Sequence, residues 1–220
     1  MIEFNFAVVL AQWPMLMRGL ILTVALTASS AVLGALLGTA CAWARLHGGK
    51  ALKRAVGSYV ELVRNTPFII QLFFIFFGLP SLGLRLPVEV ACVLAMVLNL
   101  GAYACEIVRA GLQATPEGQL EAAMSLALTP RQTFLHVVLP PALARIWPAL
   151  VSQIIIVMLG SAVCGQISAE ELSQAANLIS SRTFRSFESY IVVTVAYVLL
   201  AIGLRQSLYW LGPRFIFASR

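Results

Sequence analysis

Residues 19–44 read GLILTVALTASSAVLGALLGTACAWA, a run of 26 residues without a charged side chain. A helix needs about 20 apolar residues to cross the hydrocarbon core of a bilayer, so this run is long enough for one span. Within it, Gly34 and Gly38 form a GxxxG pattern, which predicts close packing against another helix. Further apolar runs predict spans over 65–84, 88–109, 146–169 and 189–211. We therefore expect an all-α membrane protein with five transmembrane helices in one domain, residues 1–220.

The composition of the whole chain supports this interpretation. Of its 220 residues, 60% are hydrophobic and only 11% are charged, whereas soluble domains carry about 25% charged residues. The net charge of +6 comes from basic residues scattered in short loops between the apolar runs. Such loops are typical of the flanks of membrane spans, so we expect membrane lipid, and no nucleic acid, as a partner.

Lys and Arg are unevenly divided between the two sides that five spans would define. One side carries 11 of them and the other side carries 4. Because cytoplasmic loops are enriched in Lys and Arg, we predict an external amino terminus and a cytoplasmic carboxyl terminus. The basic residues predicted to be cytoplasmic are Arg45, Lys50, Lys53, Arg54, Arg64, Arg109, Arg131, Arg145, Arg205, Arg214 and Arg220.

The longest segment predicted to be cytoplasmic, 113–141, contains two helix-start signals. Thr115 precedes a proline, which suits the first position of a helix. Thr129 precedes another proline and stands three residues before Gln132, as in a capping box. Two short helices with apolar faces are predicted, the second ending at Pro140–Pro141. They either lie against lipid headgroups or dock onto a soluble partner, and these residues alone leave both interpretations open.

The sequence contains no GxxxxGK[ST] motif to cradle nucleotide phosphates. His47 and His136 have no ligand-type neighbours, and the four cysteines lie inside apolar runs without CxxC spacing. We predict that the chain is not an enzyme, binds no cofactor or metal, and uses its cysteines for packing.

Three motifs carry a family resemblance. The segment Gly118–Ala127, followed by Val138–Pro140, resembles the EAA loop of the permease subunits of ATP-binding-cassette (ABC) importers. Ala127 stands where that loop usually has glycine, and because alanine is also small we expect the turn to be kept. Tyr59–Pro67 and Ala102–Arg109 resemble two segments of polar amino-acid permeases.

The resemblance implies a type I ABC-importer permease fold in the cytoplasmic (inner) membrane of a bacterium. It implies import of polar amino acids, together with a second permease subunit (identical or homologous), two cytoplasmic ABC ATPases and an extracytoplasmic amino-acid-binding protein. ATP and Mg²⁺ would be bound by the ATPases. The alternative function is an ion-gradient-driven secondary amino-acid transporter, which would usually show internal repeats; no convincing duplication is evident in the sequence.

The same resemblance assigns ATPase coupling to the segment 113–141. Glu121 would anchor the contact by hydrogen bonding, or would instead cap or orient the loop internally. The residues matched to the motif are Gly118, Glu121, Ala122, Ala123, Ala127, Leu139 and Pro140.

Two pairs of opposite charge stand three residues apart, near span ends predicted to face the cytoplasm. They are Glu61 with Arg64 and Glu106 with Arg109. Residues at this spacing are neighbours on a helix surface. The pairs are either ordinary helix-end pairs at the headgroup level or a charged latch at an inner gate.

Polar residues inside the predicted spans mark a candidate substrate pathway, since such groups usually face the interior of a bundle. Hydrogen bonds between packed spans are the alternative explanation. The stretch Leu159–Val163 lacks the charged residue that the family commonly carries there. The candidates are Gln71, Asn99, Tyr103, Gln153, Gly160, Ser161 and Gln166.

Overall fold

The computed structural model describes residues 4–212 and 214 of the chain. This part of the protein is helical and contains no β-strand, which confirms the predicted all-α class. The helices are α1 (Phe6–Leu10), α2 (Trp13–His47), α3 (Lys50–Arg64), α4 (Phe68–Ser81), α5 (Val88–Gln113), α6 (Glu117–Ser125), α7 (Pro130–Ile167), α8 (Leu172–Thr183) and α9 (Ser186–Leu211).

Four of these helices, α2, α5, α7 and α9, are long and apolar enough to cross a membrane. A fifth crossing is present only if α3 and α4, which meet at a bend of 113°, are counted as one broken span. The segment 65–84, predicted as one span, therefore holds a shorter helix, Phe68–Ser81, that turns sharply away from α3. The bend falls at Thr66 and Pro67. The backbone of Pro67 is extended, and a proline disfavours helical conformation in the residue before it, here Thr66.

Helices α2 and α5 pack closely against each other in the bundle core. A Cβ added at Gly38 would lie 2.5 Å from the Cβ of Ala104, and one added at Gly34 would lie 2.8 Å from the Cβ of Leu100. Real Cβ atoms do not approach so closely, so only glycine permits this packing, as the GxxxG pattern predicted. The largest fully buried side chains of the core that α2, α4 and α5 share are Leu26, Leu72, Met96 and Leu100.

Helix α7 is longer than the predicted fourth span, 146–169. It begins at Pro130, passes through a π-helical turn at Thr133–Val138 and ends in a 3₁₀ segment, Ser161–Ile167. The prediction that Pro140–Pro141 end a short helix is wrong. These prolines directly follow the π-helical turn, where the regular i→i−4 hydrogen bonding is already interrupted, and the helix continues through them.

The two ends of the bundle differ in what they carry. Arg45, Arg64 and Arg109 mark one end, which we call the basic end. The start of α7 lies there too, because the ring of Phe134 meets that of Trp43 edge-on with 5.9 Å between centroids. The opposite end carries α1 and α8, two helices that the sequence did not predict.

Candidate functional site

Helix α6 and the turn after it present apolar side chains to solvent at the basic end. Met124 is 67% exposed and Leu126 is 73% exposed, whereas Ala123 is buried and anchors the helix. The Glu121 carboxylate makes no hydrogen bond or ion pair within the described chain, so no contact there holds it as an internal cap. Among the other residues matched to the EAA loop, Gly118, Ala122, Ala127 and Pro140 are exposed and Leu139 is half-buried.

Helix α6 ends in a left-handed turn at Ala127, whose φ is 52°. The N–H of Ala127 donates to the carbonyl of Met124 at 2.9 Å, and that of Leu128 donates to the carbonyl of Ala123 at 3.1 Å. These two bonds form a Schellman motif, in which glycine is the usual residue at the left-handed position. The expected turn is therefore kept, although alanine in this conformation costs about 1 kcal/mol.

Of the two helix-start signals predicted in the segment 113–141, the structure contains the cap at Thr129 but not the one at Thr115. Thr129 and Gln132 form the predicted capping box, with the Thr129 N–H donating to Gln132 Oε1 at 2.9 Å. Thr115 is not the cap of α6, since its hydroxyl donates to the carbonyl of Leu112 at 3.1 Å. Pro116 takes the cap position in extended backbone, so α6 starts one residue later than predicted.

A shallow concavity of about 390 Å³ lies between α6 and the start of α7. Ala122 and Leu126 line it from one side, and Val137 and Pro141 line it from the other. An apolar groove beside an exposed helix is the kind of surface that accepts a partner's side chains. The tertiary structure thus leaves exposed apolar side chains of α6 beside a shallow groove.

Glu106 on α5 accepts hydrogen bonds from two arginines at the basic end. Arg109 donates to both carboxylate oxygens, at 2.7 Å and 3.3 Å, and Arg45 on α2 donates to one of them. The guanidinium of Arg64 on α3 lies 4.0 Å from Glu106 Oε2. One carboxylate thus joins three helices, and its side chain is only 20% exposed.

The two predicted charge pairs differ in the structure. Glu106 and Arg109 are paired, but no ion pair joins Glu61 to Arg64 in the part of the chain that the structure describes. Arg64 instead turns to α5, where its guanidinium carbon lies 5.6 Å from the centroid of the Tyr103 ring. A pair three residues apart contributes only a few tenths of a kcal/mol, so tertiary partners win. The sequence analysis did not identify Arg45 as a partner of Glu106. The available signal was their position, because Arg45 directly follows the first apolar run and Glu106 directly follows the third.

Gln71 and Asn99 are brought into contact. The Gln71 side-chain amide donates to the carbonyls of Val63 (2.7 Å) and Thr66 (3.0 Å), and its Oε1 accepts from Asn99 at 3.0 Å. The carbonyls lie at the end of α3, where a helix leaves its last C=O groups without partners. These two candidate pathway residues therefore form hydrogen bonds that connect the bend between α3 and α4 to α5.

Four other candidate pathway residues lie on the second half of α7. Ser161 is buried and its hydroxyl donates to the carbonyl of Met158 at 2.6 Å. Gly160 and Gln153 are half-buried and Gln166 is exposed. Neither glutamine side chain has a hydrogen bond to another residue in the described ranges. Of the seven candidates, two hydrogen-bond to each other beside the bend, Tyr103 contacts Arg64, and four lie along α7.

A buried carboxylate at the opposite end was missed by sequence reasoning. Glu171 has no exposed surface; its Oε1 accepts from the Gln174 N–H at 2.8 Å and its Oε2 accepts from the Tyr197 hydroxyl at 2.5 Å. Burial raises the pKa of the Glu171 carboxyl, while these donors act to lower it. Glu is not among the preferred N-cap residues, so its position before α8 gave little signal.

Among the described residues, no three of the His, Cys, Asp and Glu side chains lie together as a metal site would require. The four cysteines are free thiols and are buried.

Sequence comparison finds relatives over most of the chain. Residues 30–217 match the family described as binding-protein-dependent transport system inner membrane component. The chain is 33% identical over 210 residues to the probable glutamine ABC transporter permease protein GlnM of Bacillus subtilis (strain 168), covering 96% of this chain and 97% of that protein. It is 29% identical over 204 residues to the glutamine transport system permease protein GlnP of Escherichia coli (strain K12), covering 92% and 93%.

Solved structures show the same fold. A crystal structure of an amino acid ABC transporter with histidines contains a chain that matches with a TM-score of 0.89 at 34% identity, covering 97% of this chain and 100% of that one. An inward-facing structure of the MetNI methionine ABC transporter matches with a TM-score of 0.67 at 26% identity, covering 94% and 97%.

Proposed function

The chain belongs to the family of binding-protein-dependent transport system inner membrane components, and we propose that it is the transmembrane permease subunit of an ABC importer for polar amino acids. The observation that carries this proposal is the exposed EAA-like segment at the basic end, on a chain whose relatives are amino-acid permeases. Coupling is to ATP hydrolysis on a separate subunit, which would bind ATP and Mg²⁺, since this sequence has no phosphate-binding GxxxxGK[ST] motif.

Coupling runs through α6 and α7. Met124 and Leu126 offer apolar side chains to a groove on the ATPase, and the free carboxylate of Glu121 adds a hydrogen-bond acceptor beside them. Helix α7 then continues without interruption from Pro130 to Ile167. A displacement imposed on its first turns by the ATPase is therefore carried along one helical element to Gly160 and Ser161.

The cluster around Glu106 acts as a latch of the inner gate. It joins α2, α3 and α5 through Arg45, Arg64 and Arg109. Because the cluster is partly exposed, water replaces individual hydrogen bonds at low energetic cost when the helices separate. Glu61 is exposed beside the cluster and becomes a second acceptor for Arg64 in a rearranged state.

The substrate path follows α7. Gln153, Gly160, Ser161 and Gln166 supply amide, backbone and hydroxyl groups along it. Tyr103 on α5 stands beside Arg64 at the basic end of this path. The 3₁₀ segment after Gly160 departs from α-helical hydrogen bonding, and such irregular backbone exposes groups suited to an amino acid's carboxylate or ammonium. Gln71 and Asn99 shape the path indirectly by fixing the bend between α3 and α4.

The assignment as an importer permease also implies an orientation of the chain in the membrane and a set of partner subunits. The basic end faces the cytoplasm and α8 faces outward, in the inner membrane of a bacterium, in agreement with the Lys and Arg bias. The complex contains a second permease subunit, two ATPases and an extracytoplasmic amino-acid-binding protein.

The test is uptake into vesicles that contain the purified complex. A panel of radiolabelled L-amino acids is offered together with the binding protein, with and without ATP on the ATPase side. We expect uptake of one or a few polar amino acids that requires both ATP and the binding protein. Uptake driven by a sodium or proton gradient without ATP would instead establish the secondary-transporter alternative.

A second arm of the same experiment tests the docking segment. Replacing Met124 and Leu126 together by glutamate should weaken co-purification of the ATPase at least about thirtyfold, since buried apolar anchors of an interface contribute about 2 kcal/mol or more. The matched control is Leu82→Glu, because Leu82 is 76% exposed but lies between α4 and α5. Equal ATPase recovery from the double variant and the control would contradict the coupling role.

A further inference from the structure

We propose that Glu171 is a positioning residue for transport, whose buried carboxylate holds the end of α7, the start of α8 and the middle of α9 together. It thereby sets the geometry of the stretch Gly160–Gln166. The last step rests on the proposed function, because it is there that this stretch was assigned to the substrate path.

The carboxylate is held entirely by donors from two helices. Its Oε1 accepts from the backbone N–H of Gln174 in the first turn of α8, at 2.8 Å. Its Oε2 accepts from the hydroxyl of Tyr197 on α9, at 2.5 Å. No Lys or Arg forms an ion pair with Glu171 in the described part of the chain, so hydrogen bonds alone balance its burial.

The end of α7 touches this carboxylate directly. A Cβ added to Gly165, in the 3₁₀ segment, would lie 3.1 Å from Glu171 Oε1, so the backbone of the segment packs against the carboxylate. The segment closes at Ser168, where φ is 67° and the N–H donates to the carbonyl of Gly165 at 3.0 Å. A movement of the Glu171 side chain would therefore change the position of Gly165.

Helix α2 completes the cluster. The hydroxyl of Thr23 accepts from the backbone N–H of Leu172 at 3.2 Å. A Cβ added to Gly19 would lie 3.0 Å from the Cα of Leu172, so α2 and the start of α8 are in backbone contact. Four helices thus meet around one buried acid.

The chemistry of the cluster distinguishes positioning from simple helix capping. A neutral Ser or Asn caps a helix without burying a charge. The carboxylate additionally accepts a charge-assisted hydrogen bond from Tyr197, which connects α8 to α9. All its partners are donors, so the ionised acid satisfies every one of them. Glu171→Gln keeps the size but turns one acceptor into a donor that faces the phenol.

The first measurement is local hydrogen exchange of the intact complex in lipid nanodiscs. In Glu171→Gln and in Tyr197→Phe, amides in residues 161–183 should exchange at least about tenfold faster, because a charge-assisted hydrogen bond is lost or weakened. The double variant should exchange no faster than the more affected single variant, because both changes break one bond. Glu170→Gln and Tyr209→Phe are the matched controls, as both residues are exposed. Unchanged exchange in both test variants overturns the role of Glu171 in holding the helices.

The second measurement is uptake in the same vesicle assay, normalised to assembled complex and to ATP hydrolysed. We expect both variants to transport about tenfold less amino acid per ATP, with ATP hydrolysis retained. A merely structural role would lower the amount of complex and leave uptake per complex unchanged, which overturns positioning even if exchange is faster. Absence of ATP-dependent uptake in the unaltered protein would instead contradict the proposed function, while the exchange result still decides whether Glu171 joins these helices.

Discussion

Glu106 and Glu171 are both acids in the interior of the bundle, but they are held by opposite chemistry. Glu106 accepts from the guanidinium groups of Arg45 and Arg109, with Arg64 at 4.0 Å, and remains 20% exposed. Glu171 is fully buried and is held by a backbone N–H and a phenol. The cluster of Glu106 and three arginines, which is near water, suits a contact that opens and closes. The cluster around Glu171, which is dry and has no Lys or Arg partner, suits a fixed joint.

The largest effect is expected from removing the fixed joint. Glu171→Leu leaves the Gln174 N–H and the Tyr197 hydroxyl without their acceptor in a buried site. We expect the free energy of unfolding to fall by about 2–4 kcal/mol. Reversible denaturation in mixed micelles measures it, with Glu170→Leu at the exposed neighbouring position as the control. A loss no greater than that caused by Glu170→Leu would contradict the role of Glu171 as a fixed joint.

A smaller effect, sensitive to salt, is expected at the basic end. Glu106→Gln leaves Arg45, Arg64 and Arg109 close together without their shared counter-charge. We expect a loss of about 1–2 kcal/mol at low ionic strength, reduced when salt screens the repulsion between these partly exposed groups. Unfolding at two salt concentrations measures it, and the Glu171 variant serves as the comparison. Equal salt dependence of the two variants would contradict the contrast between the clusters.

The smallest effect concerns a feature that both ends share. Ala127 at the basic end and Ser168 at the opposite end both have positive φ, 52° and 67°. Because only glycine adopts this conformation without strain, Ala127→Gly and Ser168→Gly should each stabilise the protein by about 0.5–1 kcal/mol. The same denaturation experiment measures both changes. Destabilisation by either substitution would show that its side chain contributes more than its backbone strain costs.

Much of the fold was predictable because apolar runs are a local signal. Residues 19–44 lie within α2 and residues 189–211 lie within α9, since lipid accepts only helices that satisfy their own backbone. The segment 65–84 was less predictable. Its composition gives the apolar length, but the direction of the chain after Pro67 depends on the packing of α4 and on the hydrogen bonds of Gln71.

A candidate site could be predicted where a sequence motif identifies its residues. It could not be predicted where the packing of helices determines which residues meet. The EAA-like segment was found from its residues, and its capping box was read from Thr129 and Gln132. The partner of Arg64 could not be predicted in this way. Glu61 is its neighbour along the chain, but Glu106 is nearer in space.

The sequence by itself determined that the chain is helical and membrane-spanning, and it located the segment that we propose docks an ATPase. Only the tertiary structure decided which helices share each acid, that Pro140 lies inside a continuous helix, and that Glu171 is buried. The physical reason is range. Hydrophobic patterning acts along one helix, whereas a hydrogen bond in the interior exists only after two helices have packed and placed donor and acceptor within about 3 Å.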